Sequence, residues 1–179
     1  VNAYINLGNN LKVLARFEEA LKYYQKAIDL DPENAQALNN FGRCLMSNFD
    51  FKKAFELMEW RLQLDAKNFI PSNTSKPRWD GLTKHKVFVW KEQGVGDEIM
   101  FASCYEELAK CCKELTVSVS SRLLPVMRRS FPKNIQFIDR HLPMGDEEFD
   151  FQAPALTAIG HLRKDLESFS SSSAPYIVA

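Results

Sequence analysis

The sequence predicts an α + α/β chain: paired helices that repeat, then alternating strands and helices around a parallel sheet. Three observations predict it. Laid on itself with a shift of 34 residues, the N-terminal part repeats its small and apolar positions. From Val87 onward, short β-forming runs alternate with amphipathic stretches of helical period. At the junction, Val87–Trp90 runs into Glu92-Gln93-Gly94-Val95-Gly96-Asp97. That is a strand–turn–helix corner, the place where α/β folds hold ligands beyond the carboxyl end of a strand.

The repeat comes first. Under the shift, Leu7-Gly8 falls on Phe41-Gly42, Leu11 on Leu45, Ala20 on Ala54, Tyr24 on Met58 and Ile28 on Leu62. Leu7-Gly8, Leu11, Ala20, Tyr24, Ala27 and Pro32 form the tetratricopeptide signature, and the first repeat resembles that family closely. The second departs from it, with Arg61 for the second alanine and Ala66 for the proline. Gly8 and Ala20 let antiparallel helices approach, Leu11 and Tyr24 fill the layer between them, and Pro32 stops the second helix. The pattern predicts helices over 2–15, 18–30, 36–48 and 52–65, in repeats spanning 1–34 and 35–66. The chain starts at Val1 inside the first helix, so a missing N-terminus is expected, and two repeats should stack on upstream repeats, on the second module, or on both.

Residues 67–85 read as a linker, with Pro71, Pro77 and a Ser/Asn cluster arguing against regular structure. Trp79 within it reads as an aromatic peg that docks the linker. The α/β module occupies 86–179. Strands are expected at Val87–Trp90, Leu115–Val119, Ile135–Ile138 and Phe149–Phe151. Helices are expected at Asp97–Lys113, Leu123–Ser130 and Leu156–Leu162. Ser168–Ser173 reads as a flexible edge and Tyr176–Val178 as the start of a further strand.

Bulk properties narrow the function classes. The chain has 179 residues, 45% hydrophobic and 26% charged, which is globular composition. Its formal charge is zero, so no global field draws it to nucleic acid or an anionic membrane. No apolar run is long enough to predict a membrane span. The cysteines at 44, 104, 111 and 112 form no CxxC pair, and with three histidines they show no metal spacing. Free thiols in a reducing cytosol are expected.

Chemistry concentrates at Gln93, Gly94, Gly96 and Asp97. Glycines at a strand end permit positive φ and close approach of a ligand, and the helix start offers free N–H groups. Asp97 has two readings. As an N-cap it accepts from Ile99 or Met100 N–H; as a general base in a cleft it takes a proton from an acceptor hydroxyl. A dinucleotide is disfavoured. Ile99 and Met100 stand where a third glycine belongs, and the second strand ends in Val119-Ser120-Ser121-Arg122 with no acidic ribose partner. No Walker motif follows.

The set Lys76-Pro77-Arg78-Trp79-Asp80-Gly81, Val87–Trp90 and Glu92-Gln93-Gly94-Val95-Gly96-Asp97-Glu98-Ile99-Met100-Phe101-Ala102 resembles bacterial tetratricopeptide proteins with a glycosyltransferase-like domain. Those domains are similar to the heptosyltransferase family of the GT-B fold. Leu123–Met127, Phe149–Phe151 and Ala174-Pro175-Tyr176 fit the same resemblance. It implies that residues 86–179 are a Rossmann-like, acceptor-side half of a GT-B fold. It further implies that Asp97 matches the family's proposed catalytic base and Gly96 the glycine before it. The nucleotide-sugar donor then belongs to a second Rossmann-like domain of the intact protein. The chain alone is expected to bind no cofactor and to be catalytically incomplete.

A second resemblance concerns the repeats. Protein O-GlcNAc transferases carry an asparagine at the sixth repeat position on the concave face, which here is Asn6 and Asn40, with Asn9 about a turn along. Amides both donate and accept, so such a ladder holds a peptide backbone without reading its side chains; the alternative is solvated asparagines on helix faces. Three functional readings follow. One is a transferase whose repeats recruit a protein or peptide and whose Gly94–Asp97 loop meets an acceptor hydroxyl. Another is a scaffold with a degenerate α/β domain. The last, a nucleotide-binding oxidoreductase, is weakened by the missing fingerprint.

Overall fold

The computed structural model describes residues 1–64, 74–142, 144–169 and 176–177. They form two compact units, one built on the helical repeats and one on the sheet.

The first unit opens with α1 (Asn2–Val13), α2 (Phe17–Leu30), α3 (Ala35–Ser47) and α4 (Phe51–Met58). Each packs on the next. Leu11, Ala20, Tyr24, Phe41, Cys44, Leu45 and Ala54 form one buried cluster. The small residues are needed there. A Cβ on Gly8 would lie 2.6 Å from Tyr24 Cε1, and one on Gly42 would lie 2.9 Å from the Ala54 carbonyl oxygen. Gly8→Val should therefore cost about 1–3 kcal/mol by overpacking, read as a lowered denaturant midpoint. An unchanged midpoint would mean that α1 and α2 do not need this close crossing.

The turns repeat as the sequence does. α1 ends with Arg16 N–H on the Leu11 carbonyl at 2.9 Å and Ala15 at φ 57°. One period later Asp50 N–H meets the Leu45 carbonyl at 3.1 Å, with Phe49 at φ 63°. Both are helix C-caps of the Schellman type, here with a left-handed residue that is not glycine. α3 starts under Asn34, whose side chain accepts from Ala37 N–H at 3.0 Å.

The fourth predicted helix, 52–65, breaks into α4 and a short α5 (Arg61–Leu64). Arg61, which replaces the repeat's second alanine, supplies the reason. It is buried, and its guanidinium donates to the Met58 carbonyl at 2.8 Å and to Glu59 at 3.0 Å. The end of the second repeat beyond Leu64, and residues 67–73 of the segment read as linker, lie outside the described residues.

The second unit holds four strands: β1 (Lys86–Trp90), β2 (Glu114–Val119), β3 (Ile135–Asp139) and β4 (Phe151–Pro154). All pair in parallel, in the order β3-β2-β1-β4. The apolar runs of β1 and β2 are buried, as expected of a covered parallel sheet. The helices are α6 (Val95–Ala102), α7 (Tyr105–Cys111), α8 (Leu124–Ser130) and α9 (Ala155–Leu162).

Several boundaries in this unit differ from those predicted, and the larger differences have local causes. Asp97–Lys113 is two helices, because Ser103 Oγ donates to the Met100 carbonyl at 2.7 Å and Cys104 N–H turns to Phe101 at 3.0 Å. These i→i−3 bonds tighten the turn and end the helix. The fourth strand lies later, at Phe151–Pro154. Ser168 and Phe169 sit in a 3₁₀ turn, and Tyr176 and Ile177 are in no regular element; residues 170–175 and 178 lie outside the described residues.

Part of the predicted linker belongs to the sheet. Gln152 N–H donates to the Pro77 carbonyl at 3.0 Å and Trp79 N–H to the Gln152 carbonyl at 2.9 Å, a parallel bridge along β4. Trp79 is buried, with Nε1–H on the Thr83 carbonyl at 3.1 Å. Asp80 accepts from Leu82 N–H and from the Thr83 N–H and hydroxyl. Gly81 has φ 78°, and a Cβ there would lie 2.4 Å from the His161 ring. The Trp79-Asp80-Gly81 motif thus lashes the incoming chain to β4 and α9.

Candidate functional site at the carboxyl edge of the sheet

β1 leads to β2 and β3 on one side, whereas β4 lies on its other side. The strand order therefore reverses between β1 and β4, and the segment leaving β1 stands where ligands enter such folds. That segment is Lys91 to Asp97.

A buried polar network shapes it. Lys91 N–H donates to Ser118 Oγ at 2.8 Å, tying β1's exit to β2. The Lys91 ammonium donates to the Gln93 carbonyl at 2.6 Å and pairs with Glu98 at 3.1 Å. Both side chains are buried, at 7% and 3% exposure. Glu98 also accepts from Ser120 N–H at 2.7 Å and Ser120 Oγ–H at 2.6 Å, binding α6 to the end of β2. Glu92, 2% exposed, accepts from Leu156 N–H at 2.5 Å and so caps the start of α9. None of Lys91, Glu92, Glu98, Ser118 and Ser120 was singled out from sequence. The available signal was charge abutting the apolar strand β1, in a sheet whose strand ends are covered.

The predicted loop residues are placed as follows. Gln93, not a glycine, takes the left-handed conformation, at φ 64°. Such a conformation disfavours a side chain by about 1–2 kcal/mol, and the Lys91 ammonium on the Gln93 carbonyl helps hold it. Gly94 is the extended N-cap of α6, at φ −89°. Gly96 has open space around it, since an added Cβ would meet no atom within 4 Å. α6 starts at Val95, two residues before the expected start, so Asp97 sits in its first turn. Its carboxylate accepts from Gly94 N–H at 3.1 Å, reaching back rather than forward to Ile99 or Met100. This is the acidic half of a capping box. Asp97 remains half-exposed beside Gly96.

The repeat unit has its own polar face. Asn6 is exposed. Asn9 accepts from Tyr24 Oη–H at 2.8 Å and from the Asn40 amide at 3.1 Å. Its carbonyl therefore holds α1 to α2 and α3. Asn40 joins the two repeats through that bond. Burial first, and then the Arg43 guanidinium, hold the Lys12 ammonium below its usual range. Lys12 and Arg43 stand three residues beyond Asn9 and Asn40 on α1 and α3, so each shares a helix side with its asparagine.

Among the described residues no cluster of His, Cys, Asp and Glu could hold a metal ion. The described cysteines are unpaired, and burial pushes the Cys112 thiol up to about 12, far from thiolate chemistry. A hollow of about 480 Å³ lies against β3 and includes none of the predicted site residues. Among the described residues, no helix is long and apolar enough to cross a membrane.

Residues 1–34 and 23–56 match two models of the tetratricopeptide repeat. The helical segment is built of tetratricopeptide repeats. A 61-residue stretch, 31% of the chain, is 36% identical to Protein FlbA of Caulobacter vibrioides. That stretch is 10% of FlbA, so the chain spans a small part of its relative. The repeats indicate a protein-binding role.

Proposed function

We propose that this chain is the repeat-bearing, acceptor-side part of a glycosyltransferase-like protein. The intact protein moves a sugar from a nucleotide donor to an acceptor hydroxyl, while the repeats recruit a protein or peptide through Asn6, Asn9 and Asn40. The observation that carries the reading is the seat of the Gly94–Asp97 loop. It leaves β1 beside the reversal in strand order, with a half-exposed carboxylate next to an open glycine. In this reading Asp97 is the general base, Gln93, Gly94 and Gly96 shape the acceptor loop, and a second Rossmann-like domain of the intact protein holds the nucleotide-sugar. Unpaired thiols suit a reducing, cytoplasmic setting.

One observation favours a scaffold instead: Asp97 already serves its own loop, through Gly94 N–H. The deciding experiment incubates the full-length protein with nucleotide-sugars and follows nucleotide release with and without candidate acceptor proteins. Acceptor-dependent release is the expected result. Absence of release with every donor would leave the scaffold.

A further inference from the structure

We propose that the free edge of β3, with the hollow beside it, docks an extended acidic peptide that joins the sheet as a further strand. This surface shares no residue with the Gly94–Asp97 loop and serves a scaffold as well as a transferase.

β3 pairs with β2 on one side, and no strand flanks its other side among the described residues. The backbone groups of successive strand residues point to alternate sides. Arg140 N–H donates to the Val119 carbonyl at 2.9 Å, so Ile138 and Gln136 face β2 as well, and Ile135, Phe137 and Asp139 face outward. Two of these turn to nearby backbone: Ile135 N–H donates to the Pro132 carbonyl and Leu142 N–H to the Asp139 carbonyl, both at 3.0 Å. The Phe137 carbonyl instead accepts from the Arg128 guanidinium, at 3.0 Å from Nη2 and 3.3 Å from Nε. Arg128 thus stands where the N–H of an incoming strand belongs, and the Phe137 N–H beside it has no partner among the described residues. An edge in this state is a template for strand addition, and a charged plug on it turns away strands that offer the plug nothing.

The hollow of about 480 Å³ beside this edge selects the strand. Its floor is apolar. Phe131 and Phe137 are buried with ring centroids 5.5 Å apart, and each packs on Tyr105 at 6.0 Å. Its rim is basic. Arg128 and Lys133 line it, both exposed, and neither pairs with a carboxylate among the described residues. The stretch from Arg122 to Arg140 adds Arg128, Arg129 and Lys133 to those two arginines against Asp139 alone, in a chain of zero formal charge. A carboxylate on the incoming strand gives the Arg128 guanidinium a new partner as it leaves the Phe137 carbonyl, so negative charge opens the edge. A second copy of this chain would bring like charges to the same edge, which is destabilising across paired strands.

The test uses this chain and nuclear magnetic resonance of its backbone amides, so that binding at β3 is read apart from any at Lys12 and Arg43 on the repeats. Four probes are titrated: the end-blocked peptides Glu-Val-Thr-Val-Glu, Gln-Val-Thr-Val-Gln and Glu-Val-Pro-Val-Glu, and a single-stranded oligothymidylate. The glutamate peptide should shift the Ile135–Asp139 amides and slow exchange of the Phe137 amide with solvent. The glutamine peptide should bind there about tenfold more weakly, the scale of two exposed ion pairs. The proline peptide keeps the charge but loses a strand N–H, and it should slow no exchange. Lys133→Gln, at an exposed position, should narrow the preference for glutamate to about threefold, the share of one ion pair. The proposal is overturned if the glutamate peptide leaves these amides unmoved, if either control peptide matches it, or if Lys133→Gln leaves the preference whole. Equal shifts with the oligothymidylate would make the edge a site for any polyanion and would overturn it too.

Discussion

Asp97→Asn in the full-length protein should lower sugar transfer by about 10²–10⁴-fold, the usual contribution of a general base, with little change in stability. The two parts of the prediction rest on different atoms. The asparagine carbonyl can still accept from Gly94 N–H, so the cap bond at 3.1 Å survives. What stability is lost comes from removing a negative charge at a helix start, about 0.3–1 kcal/mol. The amide cannot take a proton from an acceptor hydroxyl. A cap and a base are thus separated by one substitution: a cap residue gives a small stability loss and no rate loss. Undiminished transfer would remove Asp97 from the chemistry. Gly96→Ala is the companion variant. Its Cβ meets no protein atom within 4 Å, so the fold tolerates it, and alanine at a compatible backbone site stabilises by about 0.4–1 kcal/mol. A fall in transfer with stability retained would place substrate over that glycine.

What the sequence made legible was what local pattern encodes. The tetratricopeptide period follows from steric needs at fixed spacing, and Gly8 against Tyr24 or Gly42 against Ala54 repeats those needs. The strands β1 to β3 were readable because both faces of a covered sheet demand apolar runs. Tertiary detail was hidden. No spacing rule joins Glu92 to Leu156 or Pro77 and Trp79 to Gln152; those bonds exist because β4 returns to the far side of β1. The turn was misjudged for a related reason. Two glycines near Asp97 invite a positive φ, yet Gln93 takes it, held by a lysine ammonium whose position depends on Glu98 in the next helix. The split at Ser103 was visible in principle, since a serine that bonds back to the Met100 carbonyl weakens a helix. The hydrophobic period on either side masked it.

Lys91→Met should destabilise the sheet unit by about 3–5 kcal/mol, the cost of removing one partner from a buried ion pair. Methionine keeps most of the stem's volume, so the loss is not one of packing. It removes the ammonium that faces Glu98 at 3.1 Å and the Gln93 carbonyl at 2.6 Å. Glu98 keeps Ser120 N–H and Oγ–H, but its charge is then buried without a cation. Adding Glu98→Gln should recover much of the loss, because the glutamine carbonyl still accepts from Ser120 and no lone charge remains. With the Glu98→Gln single variant, the four proteins close a double-mutant cycle whose coupling energy is expected at about 0.5–3 kcal/mol for residues in direct contact. Denaturant midpoints and amide exchange on β1 and β2 measure it. The same pair positions the loop, because Gln93 is held left-handed by the ammonium that Glu98 anchors. In the double variant, stability should therefore return further than loop order does, and Gly94 to Asp97 amides should exchange faster than in the parent protein. If loop exchange matches the parent once stability is restored, Lys91 supports the sheet alone and does not aim Asp97.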